Sequence, residues 1–141
     1  MKKLLLFPLV LLVFFNSCES IPMKIKIDPN VSGNHEIIKN EIIEGVEFFC
    51  QERNIDCKRL QKQLVIKVKK DPFFCGNVYA VGCYNSLHRR ITIQWLGGVG
   101  NNALLHELMH HEIDLFRTNV EHHSEEFYNI VNSVKNKWRE Q

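Results

Sequence analysis

The chain of 141 residues is long enough for one modest domain and too short for two. Its apolar fraction of 45% and charged fraction of 24% are ordinary for a globular protein and argue against a disordered or low-complexity chain. Residues 1–17 hold two of the 18 lysines and arginines and none of the 16 acids, so the remainder, with 16 of each, is formally neutral. This balance argues against a nucleic-acid partner and against a basic membrane-binding patch.

The N-terminal segment is predicted to be an export signal. An apolar block from Leu4 to Phe15 follows two lysines and is too short for a stable membrane span. The sequence FNSC at its end resembles the lipobox of bacterial lipoproteins, in which cleavage precedes a cysteine that becomes lipid-modified. This resemblance implies a signal peptide over residues 1–17, acyl chains on Cys18 that attach the protein to a bacterial membrane, and a single mature domain over residues 18–141. A plain secretory signal or an uncleaved N-terminal anchor is the alternative.

The hydrophobic pattern of the mature region predicts an α+β domain with the order β-α-β-β-β-α-α, in which a small sheet is backed by helices. Helical spacing of Ile38, Ile42 and Val46 marks the first helix, and the alternation of Ile91 and Ile93 with polar residues marks the last strand. The predicted elements are a strand over 23–28, a helix over about 35–54, strands over 63–71, 77–85 and 89–96, and helices over about 101–116 and 120–138.

Four cysteines remain in the mature region, and an even number in an exported protein suggests disulfides. They are Cys50, Cys57, Cys75 and Cys83. Three pairings are open. We favour the two local pairs, the first with the second and the third with the fourth, since each closes a short loop beside a predicted element end. Four reduced, buried thiols are the alternative.

The stretch HELMH, His106–His110, lies on the predicted helix that follows the last strand. A helix places positions i and i+4 on one face, so His106 and His110 can offer imidazole nitrogens to one zinc ion at about 2.0–2.1 Å. Glu107 lies beside that face, where it can act as general base towards a water molecule held by the metal. The spacing predicts one catalytic Zn²⁺ per chain, with a structural zinc or no metal as the alternative. His111 and Glu112 are predicted to lie on another, solvated side of the helix.

A third zinc ligand is expected after the motif. The last predicted helix would begin near Glu121, which can form a capping box with Thr118. On that helix His123 precedes Phe127 by four residues and shares its buried stripe, so it can point back at the motif, while His122 would lie on the wet face. The candidates are Asp114, His122, His123, Glu125 and Glu126. We choose His123; the aspartate could instead orient a ligand histidine through its other ring nitrogen.

HELMH and the later segment HSEEF together resemble the SprT-like branch of the zincin metalloproteases, in which a histidine in an H-G-x-x-F/W context follows HExxH by about a dozen residues. The matching residues are His106, Glu107, His110, His123 and Phe127. Ser124 stands where glycine is usual. The resemblance covers about residues 90–138 and implies a small zincin-like domain, zinc bound by the three histidines, and an extended peptide substrate paired with the strand RRITIQW. SprT-like proteins are intracellular and often act on DNA-associated proteins, whereas this chain is predicted to be exported and is formally neutral after residue 17, so only the metal site is carried over.

The sequence therefore predicts an exported, lipid-anchored bacterial zinc metallopeptidase in the periplasm or at the cell surface, with peptide or protein substrates. If the third ligand were Glu125 or Glu126, the protein would instead resemble a small gluzincin. The alternative function is a non-catalytic lipoprotein that uses the zincin scaffold to bind a partner. Mutation of Glu107 separates the two, because only hydrolysis depends on that carboxylate.

Overall fold

A computed structural model of the chain describes residues 22–141, so the predicted signal segment and Cys18 lie outside the described residues. The described region is α+β, as predicted. Its elements in chain order are β1 (Lys24–Ile27), α1 (His35–Arg53), α2 (Cys57–Gln61), β2 (Val65–Lys69), β3 (Phe73–Cys75), β4 (Val78–Ala80), β5 (Gly82–Asn85), β6 (Arg90–Gln94), α3 (Leu104–Phe116) and α4 (Glu125–Arg139).

The predicted element order is wrong in the middle of the chain. The short helix α2, capped by the side chain of Asp56, was not predicted, because five residues are too few to show a helical period. The single strand predicted over 77–85 is two strands, and β4 pairs with the unpredicted β3 in a separate two-stranded sheet. A two-residue turn at Gly76 and Asn77 joins them, and Gly76 adopts the positive φ of 61° that such tight turns favour.

The four-stranded sheet has the order β1-β2-β6-β5, in which β1, β2 and β6 are parallel and β5 is antiparallel to β6. Strand β6, which lies within the RRITIQW segment, is hydrogen-bonded on both sides and cannot take up a peptide. The expected substrate pairing on that strand is therefore wrong, and β5 is the edge strand on this side. The backbone N–H of Gln94 donates to the Val81 carbonyl at 2.9 Å, so the alternation of an antiparallel ladder leaves the backbone groups of Gly82 and Tyr84 facing outwards.

Helix α3 is held against the sheet and α1 by an apolar core. Ile42 and Phe49 of α1, Ile66 of β2, Ile91 of β6 and Leu108 of α3 are all fully buried within it. The helix that carries the HELMH motif follows the last strand, as predicted, and presents one side to this core. The motif is thus fixed on a rigid element.

His111 and Glu112 were expected to be solvated, and this expectation is wrong: both are buried. Arg53 of α1 donates through Nε to both carboxylate oxygens of Glu112 at 3.1 Å. His111 Nε2 lies 2.8 Å from the Leu60 carbonyl, and His111 Nδ1 lies 3.0 Å from the Tyr84 hydroxyl. Because Nε2 must donate to that carbonyl, Nδ1 accepts from the hydroxyl. These partners allow polar side chains to lie on the core side of α3.

The last helix begins later than expected. Helix α3 ends before Arg117, which has a left-handed φ of 52°, and a loop over residues 117–124 follows. Ser124, not the capping box predicted at Thr118 and Glu121, caps α4, and its hydroxyl accepts from the Phe127 N–H at 3.1 Å. His122 and His123 therefore lie in the loop and not on the helix.

The cysteines form two disulfides, Cys50–Cys57 and Cys75–Cys83, which are the two local pairs. The first connects the end of α1 to the start of α2, and the second attaches the β3–β4 hairpin to the edge strand β5. Within residues 22–141, no helix combines the length and apolar character needed to cross a membrane.

Candidate metal centre

Three histidine nitrogens converge beside α3. His106 and His110 lie one helical turn apart, and the loop before α4 places His123 opposite them. The Nε2 atoms are separated by 3.2 Å for His106 and His110, 3.3 Å for His106 and His123, and 2.9 Å for His110 and His123. Three imidazole nitrogens in such a triangle cannot all satisfy one another by hydrogen bonds, since each nitrogen has only one lone pair or one proton to offer.

The triangle fits a small tetrahedral cation. Two nitrogens bound at about 2.0–2.1 Å to one tetrahedral ion lie about 3.3 Å apart, close to the separations found here. Among the described residues, His106, His110 and His123 are the one group of histidine, cysteine or acidic side chains close enough together to hold a metal ion. The cluster could therefore bind a metal with three protein ligands and one open position.

His123 joins the cluster as predicted, but from a loop and not from the predicted helix. It was chosen because it would share a helical stripe with Phe127, yet it lies in the loop with a left-handed φ of 58°. The contact with Phe127 exists nevertheless: this buried ring lies under the cluster, with centroid distances of 5.0 Å to His106, 4.7 Å to His110 and 5.5 Å to His123. The spacing between His123 and Phe127 thus supports the site through ring packing beneath it.

A second pair of residues orients His110 from behind. Its Nδ1 lies 2.7 Å from Nδ1 of His122, and Nε2 of His122 lies 3.0 Å from Oδ1 of Asp114. With Asp114 ionised, His122 donates from Nε2 to the carboxylate and accepts at Nδ1 from His110. This arrangement makes Nε2 of His110 the lone-pair nitrogen that faces the cluster. Asp114 was considered for such a role from the sequence, but His122 as the intermediate was not.

The electrostatics of the cluster favour neutral imidazoles. Burial and the neighbouring histidines lower the pKa of His106 to about 4 and that of His110 to about 3. A neutral imidazole is the form that binds a metal, so these two ligands would not need to release protons near pH 7.

Glu107 lies beside the triangle and is 6% exposed. Burial raises the pKa of its carboxyl to about 7, against the opposing charge of Lys135. Among residues 22–141, no ion pair involves its carboxylate, which borders two clefts. Gly82 of the edge strand makes room for it, because a Cβ at that position would lie 2.6 Å from Oε1 of Glu107. An isolated, buried carboxylate with a pKa near neutrality is suited to accept and return a proton.

Two connected clefts meet at Gly82, His106 and Glu107. One, the Lys135 cleft, has a volume of about 560 Å³ and extends past the first turn of α3 towards Lys135. The other, the disulfide cleft, has a volume of about 460 Å³ and extends past Cys75–Cys83 towards Asp114. Both clefts border β5, and His106 and Glu107 lie where they adjoin, while His110 and His123 line the disulfide cleft.

The other predicted ligands are not part of the triangle. Glu125 and Glu126 are exposed on the first turn of α4 and line a separate groove with Glu52 and Arg53 of α1. His122 points at the back of His110, not into the triangle. The four expected residues, His106, Glu107, His110 and His123, do lie together.

The chain was compared with known proteins at three levels. No protein-family model, curated protein or solved structure matches it. The resemblance to the SprT-like branch therefore rests on the motif residues quoted above.

Proposed function

We propose that the protein is a zinc metallopeptidase of the zincin type. The observation that carries this proposal is the placement of a buried Glu107 carboxylate beside three converging Nε2 atoms, at the junction of two solvent-accessible clefts. A structural zinc site would be closed by a fourth protein ligand. No fourth side chain joins the triangle among the described residues, which favours a catalytic site.

The donor set favours zinc, one ion per chain. Three imidazoles at tetrahedral separations are a known catalytic zinc set, whereas calcium and magnesium prefer oxygen ligands. His106 and His110 hold their positions through the rigid helix, and His123 through the loop before α4. Zinc bound here would supply Lewis acidity to a water molecule and to the substrate carbonyl.

The catalytic role then belongs to Glu107. Its carboxylate accepts a proton from the attacking water, whose oxygen forms the new carboxyl group on the acyl side of the broken peptide bond. The protonated side chain of Glu107 then returns the proton to the leaving amine. In the metal-free protein burial raises the pKa of Glu107 to about 7, so its carboxylate is a stronger base than that of a solvated glutamate.

The substrate would be an extended peptide or a flexible protein segment. The outward-facing backbone groups of Gly82 and Tyr84 on β5 can pair with such a chain as an added strand. This strand would lie along the two clefts and bring a peptide bond past Glu107, since Gly82 lies directly against that side chain.

We further propose that the protein is exported and anchored to a bacterial membrane by lipid on Cys18. This part rests on the resemblance of the N-terminal segment to a lipoprotein signal. The disulfides Cys50–Cys57 and Cys75–Cys83 are compatible with an oxidising compartment.

A second candidate function is partner binding without catalysis, and one observation favours it. The β3–β4 hairpin exposes three large apolar side chains, Phe74, Val78 and Tyr79, each more than 60% exposed. Such a surface is typical of a contact with another molecule. One of the three, Tyr79, also lines the Lys135 cleft, so the surface is equally consistent with a substrate contact.

Elemental analysis combined with peptide cleavage tests the proposal. We expect one zinc per chain in the wild type, strong loss of zinc in His123→Ala, and full zinc in His88→Ala, a control at an exposed turn. Glu107→Gln should keep the zinc and lose cleavage of a peptide library. Zinc-free wild type would refute the metal site, and cleavage that survives Glu107→Gln would refute the mechanism. Zinc without cleavage in the wild type would favour the partner-binding function.

A further inference from the structure

The Lys135 cleft contains a lysine without a counter-ion. Lys135 lies on α4, is half-buried and lines the cleft with His106 and Glu107. In the part of the chain that the structure describes, no carboxylate, including that of Glu107, lies within ion-pair distance of its ammonium group. A half-buried ammonium group facing a cleft has lost part of its hydration, and the charge of Glu107 compensates for this only from beyond ion-pair distance. It is therefore suited to bind an anion that enters the cleft.

A second unpartnered donor belongs to Asn102, which is among the residues that line the same cleft. Asn102 is 2% exposed, and its Oδ1 accepts from the backbone N–H of Leu104 at 2.9 Å. Its amide Nδ2 is buried and has no acceptor among the described residues. Buried donors in folded proteins are almost always paired, so this group is an independent indication of an acceptor supplied from outside the chain.

The other residues around the Lys135 cleft favour a ligand that combines a negative charge with an apolar group. The cleft passes the first turn of α3, whose N-terminus carries partial positive charge and whose N-cap, Ala103, provides no side-chain acceptor. The lining also includes three substantially exposed apolar side chains, Tyr79, Val81 and Leu96. A ligand with a hydrogen-bond acceptor at one end and an apolar side chain beside it would contact both the polar and the apolar residues of the cleft.

The direction of β5 shows which end of a substrate would enter this cleft. The strand begins at Gly82, next to the Lys135 cleft, and runs towards the disulfide cleft, which is lined by Tyr84 and Ser86. A peptide paired antiparallel to β5, the slightly more stable mode, runs the opposite way. Its C-terminal portion, which leaves as the amine product, would lie in the Lys135 cleft.

We infer that the Lys135 cleft is a carboxylate-binding subsite for the leaving side of the substrate, with Lys135 and the Asn102 amide as the recognition groups. This inference rests on the proposed peptidase function for its place in the reaction. The carboxylate has two sources: the C-terminus of a peptide whose last residues are removed, or an acidic side chain just after the cleaved bond. The volume of the Lys135 cleft, about 560 Å³, accommodates a small ligand or a few residues at most.

A binding experiment tests the subsite without requiring cleavage. The probes are 3-phenylpropionate and its amide, 3-phenylpropionamide, which differ only in the carboxylate, titrated into the zinc-loaded protein by calorimetry. We expect the acid to bind at least about tenfold more tightly than the amide, and this preference to be lost in Lys135→Met. Lys137→Met is the matched control on the same helix, because Lys137 pairs with Glu52 at 2.9 Å.

A second variant tests the subsite independently, in case Lys135→Met does not fold. Asn102→Asp keeps the oxygen that accepts from Leu104 but replaces the free donor with an acceptor, so it should also abolish the preference for the acid. Equal binding of acid and amide by the wild type would overturn the inference. So would a preference that persists unchanged in folded Lys135→Met and Asn102→Asp, because the carboxylate would then be bound by the metal.

Cleavage kinetics identify the source of the carboxylate. A peptide that the protein cleaves is prepared in three forms, all ending one residue after the cleaved bond. The first ends in a free carboxylate, the second ends in an amide, and the third ends in an amide but has Glu as its last residue. A preference in kcat/KM for the first form alone identifies a chain terminus, a preference for the third form alone identifies an acidic side chain, and a preference for both shows that either carboxylate is accepted. Each preference should depend on Lys135, and three equal rates would overturn the inference. If no peptide is cleaved but the binding preference holds, the peptidase proposal fails while the subsite remains.

Discussion

Replacing Glu107 by glutamine should stabilise the metal-free protein, and the gain should depend on pH. Glu107 is 6% exposed, and its pKa is raised from 4.5 to about 7 by burial. Because the folded-state pKa exceeds the unfolded one, ionisation of this group costs the folded state free energy. The cost is absent below pH 4.5, grows as the pH rises, and is complete above about pH 7.

The expected size of the gain follows from the same two values. The difference between the folded and unfolded pKa values of Glu107 corresponds to a free-energy cost of about 3 kcal/mol at pH 8. At pH 5.5, where the group is mostly protonated in the folded state, the cost is about 1 kcal/mol. Glutamine has nearly the same shape and no charge, so Glu107→Gln removes this cost without creating a cavity. The measurement is urea unfolding of chelator-treated, oxidised wild type and variant at pH 8.0 and pH 5.5.

Glu112→Gln is the matched control, since Glu112 is also a buried glutamate of α3 but is paired with Arg53 at 3.1 Å. Removing its charge leaves a guanidinium group without its partner and should destabilise the protein at both pH values, by about 3 kcal/mol. A gain for Glu107→Gln that is equal at pH 8.0 and pH 5.5, or a loss at pH 8.0, would refute the view that Glu107 is an isolated buried carboxylate.

Three further predictions concern the metal and the cleft. Asp114→Asn should weaken zinc binding by about 10–100-fold in a competition assay with a coloured chelator, because His122 then orients His110 less well. Gly82→Ala should lower kcat at least about tenfold with the zinc content unchanged, since the added methyl group would clash with the side chain of Ala103 at the start of α3 and with the carboxylate of Glu107, which must then move. Removal of zinc by a chelator should lower Tm, and added zinc should restore it, because the metal binds only the folded chain.

Each of these has a clear contrary outcome. Unchanged zinc affinity in Asp114→Asn would mean that the contact between His122 and His110 does not orient the ligand. Loss of zinc in Gly82→Ala would indicate a disturbed metal site and not a displaced base. A Tm that is insensitive to both chelator and zinc would argue against a metal bound by the folded protein.

The sequence alone determined the features that depend on short-range spacing. The HELMH pattern places His106 and His110 on one face of any helix, and the predicted helix after an alternating strand is present as α3. The first helix also follows its apolar spacing closely, from His35 to Arg53, with Asn34 as its cap. In these segments the regular repeat of the backbone itself decides which side chains lie together.

Only the tertiary structure decided how the site is completed. His123 joins the triangle through a loop with a left-handed residue, and His111 and Glu112 are buried because Tyr84, Leu60 and Arg53 reach them from other elements. The edge position of β5, beside both clefts, depends on strand order. Such contacts connect residues far apart in the chain, so no local pattern encodes them, and they form only when the packed core has fixed the elements relative to one another.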